Sequence, residues 1–404
     1  MVAASFSLRF HKAQAKACGY PKSIAQNLQL IKSHKSNKDT ELRYLLLLLN
    51  NTDLIFRLSK KLFDFFPNIE ELFSADVDLA RLGLSSDEIS KLRNPDWRVV
   101  EQDLCWAEQA KHHIITINNP EYPELLKEIQ NPPLIFFVAG DLQLLKTSQI
   151  AVIGSRNPTP IGVETAFNFS RELARAGLVI TSGLAIGIDA AGHRGAIAAS
   201  AKTIAVMGTG LNRVYPSHHV KLAEEIIDTG GVLLSEFPRA SSGKAWHFPL
   251  RNRIISGLSM GTLVVEATMR SGSLITARLA SEQGREVFAI PGSIYNSKAQ
   301  GCHYLIRQGA KLVDQPMDVL EEFPEFIKVI KSQNIADKKG GEKNKLDCKH
   351  KKLLDCMGFE IATVDALVAR IDLPASQVVI MLLELELQGS IKTVMGGYIR
   401  ILNM

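Results

Sequence analysis

Cysteine is scarce in this 404-residue chain, and no two cysteines form a CxxC pair. The five are Cys18, Cys105, Cys302, Cys348 and Cys356. Their odd number and irregular spacing argue against a disulfide framework or a zinc site, and predict reduced thiols in a cytoplasmic protein. No apolar run reaches the roughly 18 residues that a membrane span needs, so we expect no membrane partner. A Walker A motif is also missing, because alanine follows Gly243-Lys244, and an ATPase therefore has no support.

Acidic residues are absent before Asp39, whereas seven lysines and arginines precede it. This composition resembles a transit peptide, but we favour a disordered basic extension over residues 1–39. The net charge of +5 and the pI near 8.8 are compatible with a nucleic-acid partner without requiring one. The length predicts two or three domains.

Residues 40–110 are predicted to form a small helical domain of the SAM or helix-hairpin-helix type, with a docking or spacer role. Apolar residues recur at helical spacing in Leu42–Leu49, Leu54–Phe66 and Ile69–Phe73. Ser85 followed by Glu88 predicts a capped helix start.

Residues 111–325 alternate between apolar strands and helices, which predicts an α/β core with a parallel sheet. The predicted strands are Ile114–Ile117, Leu134–Val138, Ile150–Ile153, Leu178–Thr181, Thr203–Met207, Val232–Leu234, Thr262–Val265, Glu286–Ile290 and Lys311–Val313. The predicted helices include Val163–Arg175, Asp189–Ala199, Val220–Ile227 and Leu274–Gln283. In such sheets, ligands bind outside the carboxyl ends of the strands.

Residues 326–350 are polar and lysine-rich, and predict a flexible linker. Residues 351–404 then show two helices and a hairpin signal at Met395-Gly396-Gly397, the pattern of a winged-helix domain. Its second helix carries no Lys or Arg, and the next one is Lys392. A protein-contact or structural role is therefore predicted as an alternative to duplex DNA binding.

Five turns that follow strands carry glycine or serine. They are Gly154-Ser155-Arg156, Ser182-Gly183-Leu184, Gly208-Thr209-Gly210, Ser235-Glu236-Phe237 and Ser271-Gly272-Ser273. Glycine lets the backbone approach a phosphate closely, and a following helix start adds N–H donors. The Ser155 hydroxyl and the Arg156 guanidinium can also meet a phosphate. Alone each triplet is typical of a structural turn, but together they predict a phosphate-binding rim.

The segment from Lys244 to Arg253 is the strongest cluster. Its cations are Lys244, Arg251 and Arg253, its candidate stacking rings are Trp246, His247 and Phe248, and Asn252 can pair with a base edge. Cations beside aromatic rings are typical of single-strand binding. We also expect at least one of Arg251 and Arg253 to bond to sheet-edge carbonyls instead.

Three titratable residues near these turns have structural explanations. We expect Asp189 to cap the helix that carries His193, and His193 to be packed rather than catalytic. Glu266 follows a strand and is predicted to orient Arg251, Arg253 or Arg270 through an ion pair. The alternative is a nucleotide-processing enzyme of the phosphoribohydrolase type that uses Glu266 with Arg270. No nucleophile with an adjacent base supports catalysis.

These motifs resemble the DNA-processing protein A family (DprA, also called Smf). The matching stretches are Val152–Arg156, Ser182–His193, Thr203–Gly210, Ser235–Pro238, Phe248–Ile255, Val265–Ala267, Arg270–Ala277, Phe288–Gly292, Gly301–Ile306 and Gly309-Ala310. The resemblance covers about Tyr122 to Phe323, and the winged-helix pattern fits too. His219 and Gly192 depart from the family pattern, which often has asparagine and alanine there.

The resemblance implies an extended Rossmann-like core that binds single-stranded DNA and loads the RecA recombinase in natural transformation and homologous recombination. It implies no catalytic residue, cofactor or metal. The implied DNA contacts are Arg156 and the segment Lys244–Arg253. The implied dimer and RecA surface matches Cys302, His303, Leu305, Ile306 and Leu312. Single-strand-binding protein is a further candidate partner, and a purely structural adaptor is a third alternative.

Overall fold

The structure is a computed structural model. It describes residues 37–50, 69–73, 84–324, 326, 348–358, 361–371, 373–394 and 396–400. These residues fall into two compact units: those up to Asn157 with Ala166–Glu322, and Pro158–Thr165 with those from Phe323 onward. Most of the predicted extension, the predicted helix Leu54–Phe66 and residues 327–347 of the predicted linker lie outside the described residues.

The described chain begins with three helices, and the side chains of Ser85 and Asp96 cap the second and the third. They are α1 (Asn37–Asn50), α2 (Ser86–Arg93) and α3 (Trp97–Ala107), with a 3-10 turn at Ile69–Phe73. The Glu88 N–H donates to the Ser85 hydroxyl at 3.3 Å, and the Ser85 N–H donates to the Glu88 carboxylate at 2.8 Å. This reciprocal pair confirms the predicted helix start.

The described part of the first unit holds a nine-stranded sheet. Its strands are β1 (His112–Thr116), β2 (Ile135–Gly140), β3 (Gln149–Ile153), β4 (Val179–Ser182), β5 (Thr203–Val206), β6 (Val232–Ser235), β7 (Gly261–Val264), β8 (Glu286–Ala289) and β9 (Lys311–Leu312). The order is β1-β2-β6-β5-β4-β3-β7-β8-β9. β2 pairs antiparallel with β1 and β6, and all other neighbours pair parallel. The predicted α/β class is confirmed, and the ends of β3 to β9 share one edge.

Helices and 3-10 turns connect the strands. The helices are α4 (Glu124–Lys127), α5 (Pro160–Arg175), α6 (Ile188–Ala198), α7 (Val220–Asp228), α8 (His247–Leu258), α9 (Gly272–Glu282), α10 (Gln300–Arg307) and α11 (Pro316–Leu320). The 3-10 turns are Leu142–Lys146 and Ser217–His219. The sequence pattern did not predict α8, because Pro249 lies in its first turn.

The sheet is buried on both faces, which explains why its strands read as continuous apolar runs. Every residue of β2 to β7 is buried. Alternate residues of β2 enter different clusters: Phe137 packs with Trp106 of α3, whereas Phe136 packs with Ile254 of α8. Each such side chain stabilises the fold by roughly 1.5–3 kcal/mol. The helices α1 to α3, which we call the helical segment, therefore share a core with the sheet.

The buried pair Arg239–Asp103 also ties the helical segment to the sheet. The Arg239 Nε donates to Asp103 at 2.6 Å, and both side chains are at most 6% exposed. The Arg239 guanidinium also lies 5.3 Å from the Trp106 ring centroid. The Arg239 carbonyl accepts the Asn212 N–H at 3.0 Å, so this residue holds the chain between β5 and the start of α7.

The second unit contains α12 (Cys348–Met357), α13 (Val364–Ile371), α14 (Ala375–Leu387), β10 (Ile391–Val394) and β11 (Gly397–Arg400). β10 and β11 form the predicted antiparallel hairpin. Ala362 exchanges two backbone hydrogen bonds with Tyr398, both at 2.9 Å, and forms an isolated antiparallel bridge beside the hairpin. Three helices with this small sheet are the winged-helix arrangement.

Cys302 and Cys356 are free thiols, but Cys105 is disulfide-bonded. The prediction that the cysteines are reduced is therefore wrong at Cys105, because spacing along the chain does not reveal which distant segments meet. By length and hydropathy, no described helix could cross a bilayer alone, although the bent pair α13 and α14 passes together.

Candidate nucleic-acid interface

Arg156 and Phe248 meet at the carboxyl edge of the sheet. Arg156 follows β3 by three residues, and Phe248 is the second residue of α8. The guanidinium carbon of Arg156 lies 5.7 Å from the centroid of the Phe248 ring. Arg156 is exposed and Phe248 is half-buried, so a cation and an aromatic face are presented together.

The Phe248 ring rests on glycine. A Cβ at Gly208 would lie 2.7 Å from the ring, and a Cβ at Gly243 would lie 3.1 Å from it. Tyr215, which is 56% exposed, extends the aromatic surface, with its ring centroid 5.3 Å from that of Phe248. The glycine at 208 is thus explained by ring packing, because any side chain there would displace Phe248.

Lys244 and Trp246 form a second cation–aromatic pair. The Lys244 ammonium lies 5.6 Å from the Trp246 ring, which is 38% exposed. We call the set Arg156, Tyr215, Lys244, Trp246 and Phe248 the stacking surface. Tyr215 was not among the predicted site residues. The signal that could have identified it is its place in the connection after β5, at the same edge as Arg156.

Arg251 faces inward. Its Nη1 donates to the carbonyl of Gly183 at 2.7 Å and also to the carbonyl of Val206, and its Nε donates to the Asn252 side chain at 3.0 Å. A Cβ at Gly183 would overlap this guanidinium. Burial lowers the pKa of Arg251 to about 10, opposed by Asp189, so the side chain stays charged at neutral pH. The structure supports the predicted alternative of bonding to sheet-edge carbonyls.

Arg253 is also enclosed. Its Nη2 donates to Glu236 at 2.5 Å, and the two residues are 9% and 4% exposed. Burial raises the pKa of Glu236, and the charge of Arg253 opposes that shift. The acid that pairs with Arg253 is therefore Glu236 and not Glu266, which is itself 7% exposed. Of the predicted cations, Arg156 and Lys244 are the exposed ones.

Several N–H groups of the predicted phosphate rim have partners within the protein. The Gly183 N–H donates to Asp189 at 3.1 Å, the Gly210 N–H donates to the Ser241 carbonyl at 3.0 Å, and the Ser273 N–H donates to Ser271 at 3.3 Å. Asp189 is therefore not the helix cap that we predicted, since its carboxylate binds the preceding turn. Exposed backbone of the rim includes Gly272, where no atom lies within 4 Å of an added Cβ.

Packing fixes the remaining residues of the first predicted turn. A Cβ at Gly154 would lie 2.7 Å from Ile188, and the Ser155 hydroxyl accepts the Asn157 N–H at 3.1 Å.

The Asn252 side chain lies one helical turn after Phe248 and shares its face of α8. Asn252 thus belongs to the edge of the stacking surface.

Three histidines near these turns have structural contacts. His247 is fully buried with its ring centroid 3.9 Å from that of Phe237, so it is not the exposed stacking ring that we predicted. The His193 Nδ1 lies 2.8 Å from the Thr203 hydroxyl, and burial lowers the pKa of His193 to about 3. Thr203 itself donates to the Ile180 carbonyl, so His193 Nδ1 carries the proton. His219 Nδ1 bonds to the Leu184 carbonyl at 2.9 Å and supports that residue at a φ of +56°. His193 is packed, as expected.

The predicted dimer and RecA segment is only partly accessible. Cys302 is fully buried and Leu305 is 8% exposed, because both pack into the core from α10. Burial raises the pKa of Cys302 to about 12, which suppresses its reactivity. Ile306 is half-buried, His303 bonds to the Gly292 carbonyl at 3.0 Å, and Leu312 is 47% exposed. Contact through Cys302 and Leu305 does not fit their burial.

The described part of α14 presents apolar rather than basic residues. Val379, Ile380, Leu383 and Leu387 are between 42% and 81% exposed. The helix also carries Glu384, which lies 2.8 Å from His350. This surface is a poor match for the phosphates of a duplex, as its sequence indicated.

Together, the fold and its site define a Rossmann-like α/β protein with an exposed cation–aromatic surface and an appended winged-helix unit. The model of the DNA recombination-mediator protein A family matches residues 113–324, and that of the DprA winged helix domain matches residues 339–397. The chain belongs to this family.

Relatives extend that match. Protein Smf of Escherichia coli is 42% identical over 325 residues, which span 80% of this chain and 87% of that protein. DNA processing protein DprA of Streptococcus pneumoniae is 48% identical over 256 residues, 62% of this chain and 90% of that one. The X-ray structure of the pneumococcal protein superposes with a TM-score of 0.60 at 36% identity, covering 72% and 99% of the two chains. The predicted family is confirmed.

Proposed function

We propose that this protein binds single-stranded DNA on the stacking surface and delivers it to the RecA recombinase without catalysing a reaction on it. The observation that carries this proposal is the placement of exposed Arg156 over Phe248, with Tyr215 beside the same ring. This arrangement supplies a phosphate contact and a stacking face within one nucleotide's reach.

Strand selectivity follows from the rings. In a duplex the base faces are already stacked on one another. An aromatic side chain can therefore stack on a base only if neighbouring base pairs are first separated, which costs free energy. A single strand offers free base faces, and each stacked base contributes roughly 1–3 kcal/mol. Lys244 with Trp246 provides a second such pair. We therefore propose a strong preference for single strands.

The partners belong to the same proposal. We place a homodimer contact on the accessible side of α10 and on β9, where Leu312 and Tyr304 are 47% and 39% exposed. Cys302 and Leu305 would support that surface from beneath. We propose that the protein is cytoplasmic, and that RecA and single-strand-binding protein contact its DNA-bound form there. Measuring the mass of the protein in solution tests the dimer.

The decisive experiment compares Arg156→Ala with wild type in binding a labelled oligonucleotide across a salt series. Removing one phosphate contact should reduce the slope of log K against log salt by about 0.7 and weaken binding. The matched control is Arg175→Ala, because Arg175 is also exposed but precedes β4 and so lies at the opposite edge of the sheet.

An unchanged salt slope in well-folded Arg156→Ala would refute this site. The wild type should also support RecA-dependent strand exchange on DNA coated with single-strand-binding protein, and Arg156→Ala should not. Release of free base from nucleoside monophosphates would instead favour the phosphoribohydrolase alternative at Glu266. Activity that is indifferent to the arginines would favour a structural adaptor.

A further inference from the structure

The loop after β8 holds an aromatic side chain out in solvent. Tyr295 is 93% exposed and Ile294 is 73% exposed, and Tyr295 is the most exposed of the large hydrophobic residues in the described chain. Leaving both side chains in water forgoes the free energy of burial. Neither the proposed function nor the family motifs account for them.

This loop is held in shape by its own hydrogen bonds. The Tyr295 N–H donates to the Ser293 hydroxyl at 3.3 Å, and the Lys298 N–H donates to Asn296 at 3.0 Å. At its base, the His303 ring bonds to the Gly292 carbonyl at 3.0 Å. The exposed ring therefore stands on a defined turn.

The loop is also fastened to the neighbouring turn at the same sheet edge. The Ala267 N–H donates to the Lys298 carbonyl at 2.7 Å. One residue earlier, the Glu266 carbonyl would lie 2.9 Å from a Cβ at Gly154, two residues before Arg156. The Arg156 turn, the turn after β7 and the Tyr295 loop are thus neighbours along one edge of the sheet, and we call their exposed side the track.

Charge along this surface favours an anionic chain. Arg270 is exposed between the two ends, and it forms no ion pair with any residue that the structure describes. Met269 beside it is 49% exposed, so the path is apolar as well as cationic. Since β3, β7 and β8 are adjacent strands about 5 Å apart, the path covers roughly 10 Å of sheet edge.

We propose that Tyr295 is a second base-stacking platform, which binds the continuation of the DNA strand held by Arg156 and Phe248. Arg270 binds the phosphate between the two platforms. This inference rests on the proposed function, because it extends the same track. The strand is the occupant that the exposed cation and the continuity with Arg156 favour over a protein.

The test measures affinity for single-stranded oligonucleotides from about 2 to 16 nucleotides, so that the shortest fall short of the second platform and the longest reach the upper end of the range that single-strand modules cover. Wild type should gain affinity once the oligonucleotide reaches the second platform. In Tyr295→Ala that gain should disappear, with a loss of about 5- to 150-fold at the longer lengths. Tyr295→Phe should retain the gain, whereas Tyr295→Leu, which keeps apolar area without a ring, should lose it.

Three results would overturn the inference. The first is an unchanged length dependence in Tyr295→Ala, and the second is full affinity in Tyr295→Leu. The third is a change in the mass of the free protein on Tyr295→Ala, since that would assign the loop to a contact between copies of the chain. Each leaves the Arg156 site intact, whereas failure of wild type to bind any length defeats the proposed function itself.

Discussion

Replacing Arg251 with methionine should damage the fold rather than the DNA contact. Methionine keeps the apolar stem of the side chain but removes the guanidinium that donates to the carbonyls of Gly183 and Val206. It also removes a nearby positive charge that lowers the pKa of the Asp189 carboxyl, whose burial raises it, at a site where that residue is 7% exposed. Two buried backbone carbonyls thus lose a charged hydrogen-bond donor.

The magnitude follows from these losses. A hydrogen bond to a charged group contributes about 1.5–3 kcal/mol, and the carbonyls of Gly183 and Val206 lose one each. The two contributions overlap, because one guanidinium makes both hydrogen bonds, so we expect a total loss of about 3–5 kcal/mol. That is a large share of the roughly 5–15 kcal/mol by which domains are stable.

Urea unfolding followed by tryptophan fluorescence measures this loss. The three tryptophans, Trp97, Trp106 and Trp246, all lie in the first unit, so the signal reports on that unit. With an m value of about 3 kcal/mol/M, the midpoint should fall by about 1 M or more. The same substitution at exposed Arg156 should change stability by less than about 0.5 kcal/mol. Equal midpoints for Arg251→Met and wild type would refute the argument.

Two further predictions concern a glycine and a histidine. In Gly208→Ala the new Cβ should displace the Phe248 ring, so single-strand affinity should fall by about 1–3 kcal/mol with little loss of stability; unchanged affinity would contradict the stacking role. The pKa of His193 is about 3 in the folded protein and near 6.5 when unfolded, so the unfolded state takes up the proton and stability falls as the pH drops below about 6.5. Between pH 6.5 and pH 5 the free energy of unfolding should therefore fall by about 2 kcal/mol because of His193. Urea titrations should show this fall in wild type and not in His193→Gln, and an equal fall in both proteins would contradict the argument.

Periodicity predicted the strands well because β2 to β7 are buried along their whole length and therefore read as mainly apolar runs. All nine predicted strands are present, with ends shifted by up to two residues. It failed at α8, whose sequence has Pro249 and several polar residues. Proline is tolerated within the first helical turn, where its missing N–H has no helical acceptor. The remaining turns are then stabilised by tertiary packing of residues such as Ile254.

The composition of the site was predicted, but the orientation of its residues was predicted only for Arg251, as one of two candidates for bonding to sheet-edge carbonyls. Arg251 and Arg253 lie on α8 and carry the same charge as Lys244, which precedes the helix and is exposed. The two arginines are buried only because of the way α8 is rotated about its axis against the sheet. Tyr215 lies far from Phe248 in sequence, and no local pattern shows that their rings meet. Side-chain direction depends on contacts between distant segments, which one sequence does not encode visibly.

The bond between Arg239 and Asp103 bears on where this protein can be cut. A fragment that began at Lys111 would keep every strand of the sheet, yet its Arg239 would lose both Asp103 and the ring of Trp106. It would also uncover one apolar face of β2. The helices α1 to α3 thus cover one face of the sheet, and a truncation between α3 and β1 would expose its core although it removes no strand.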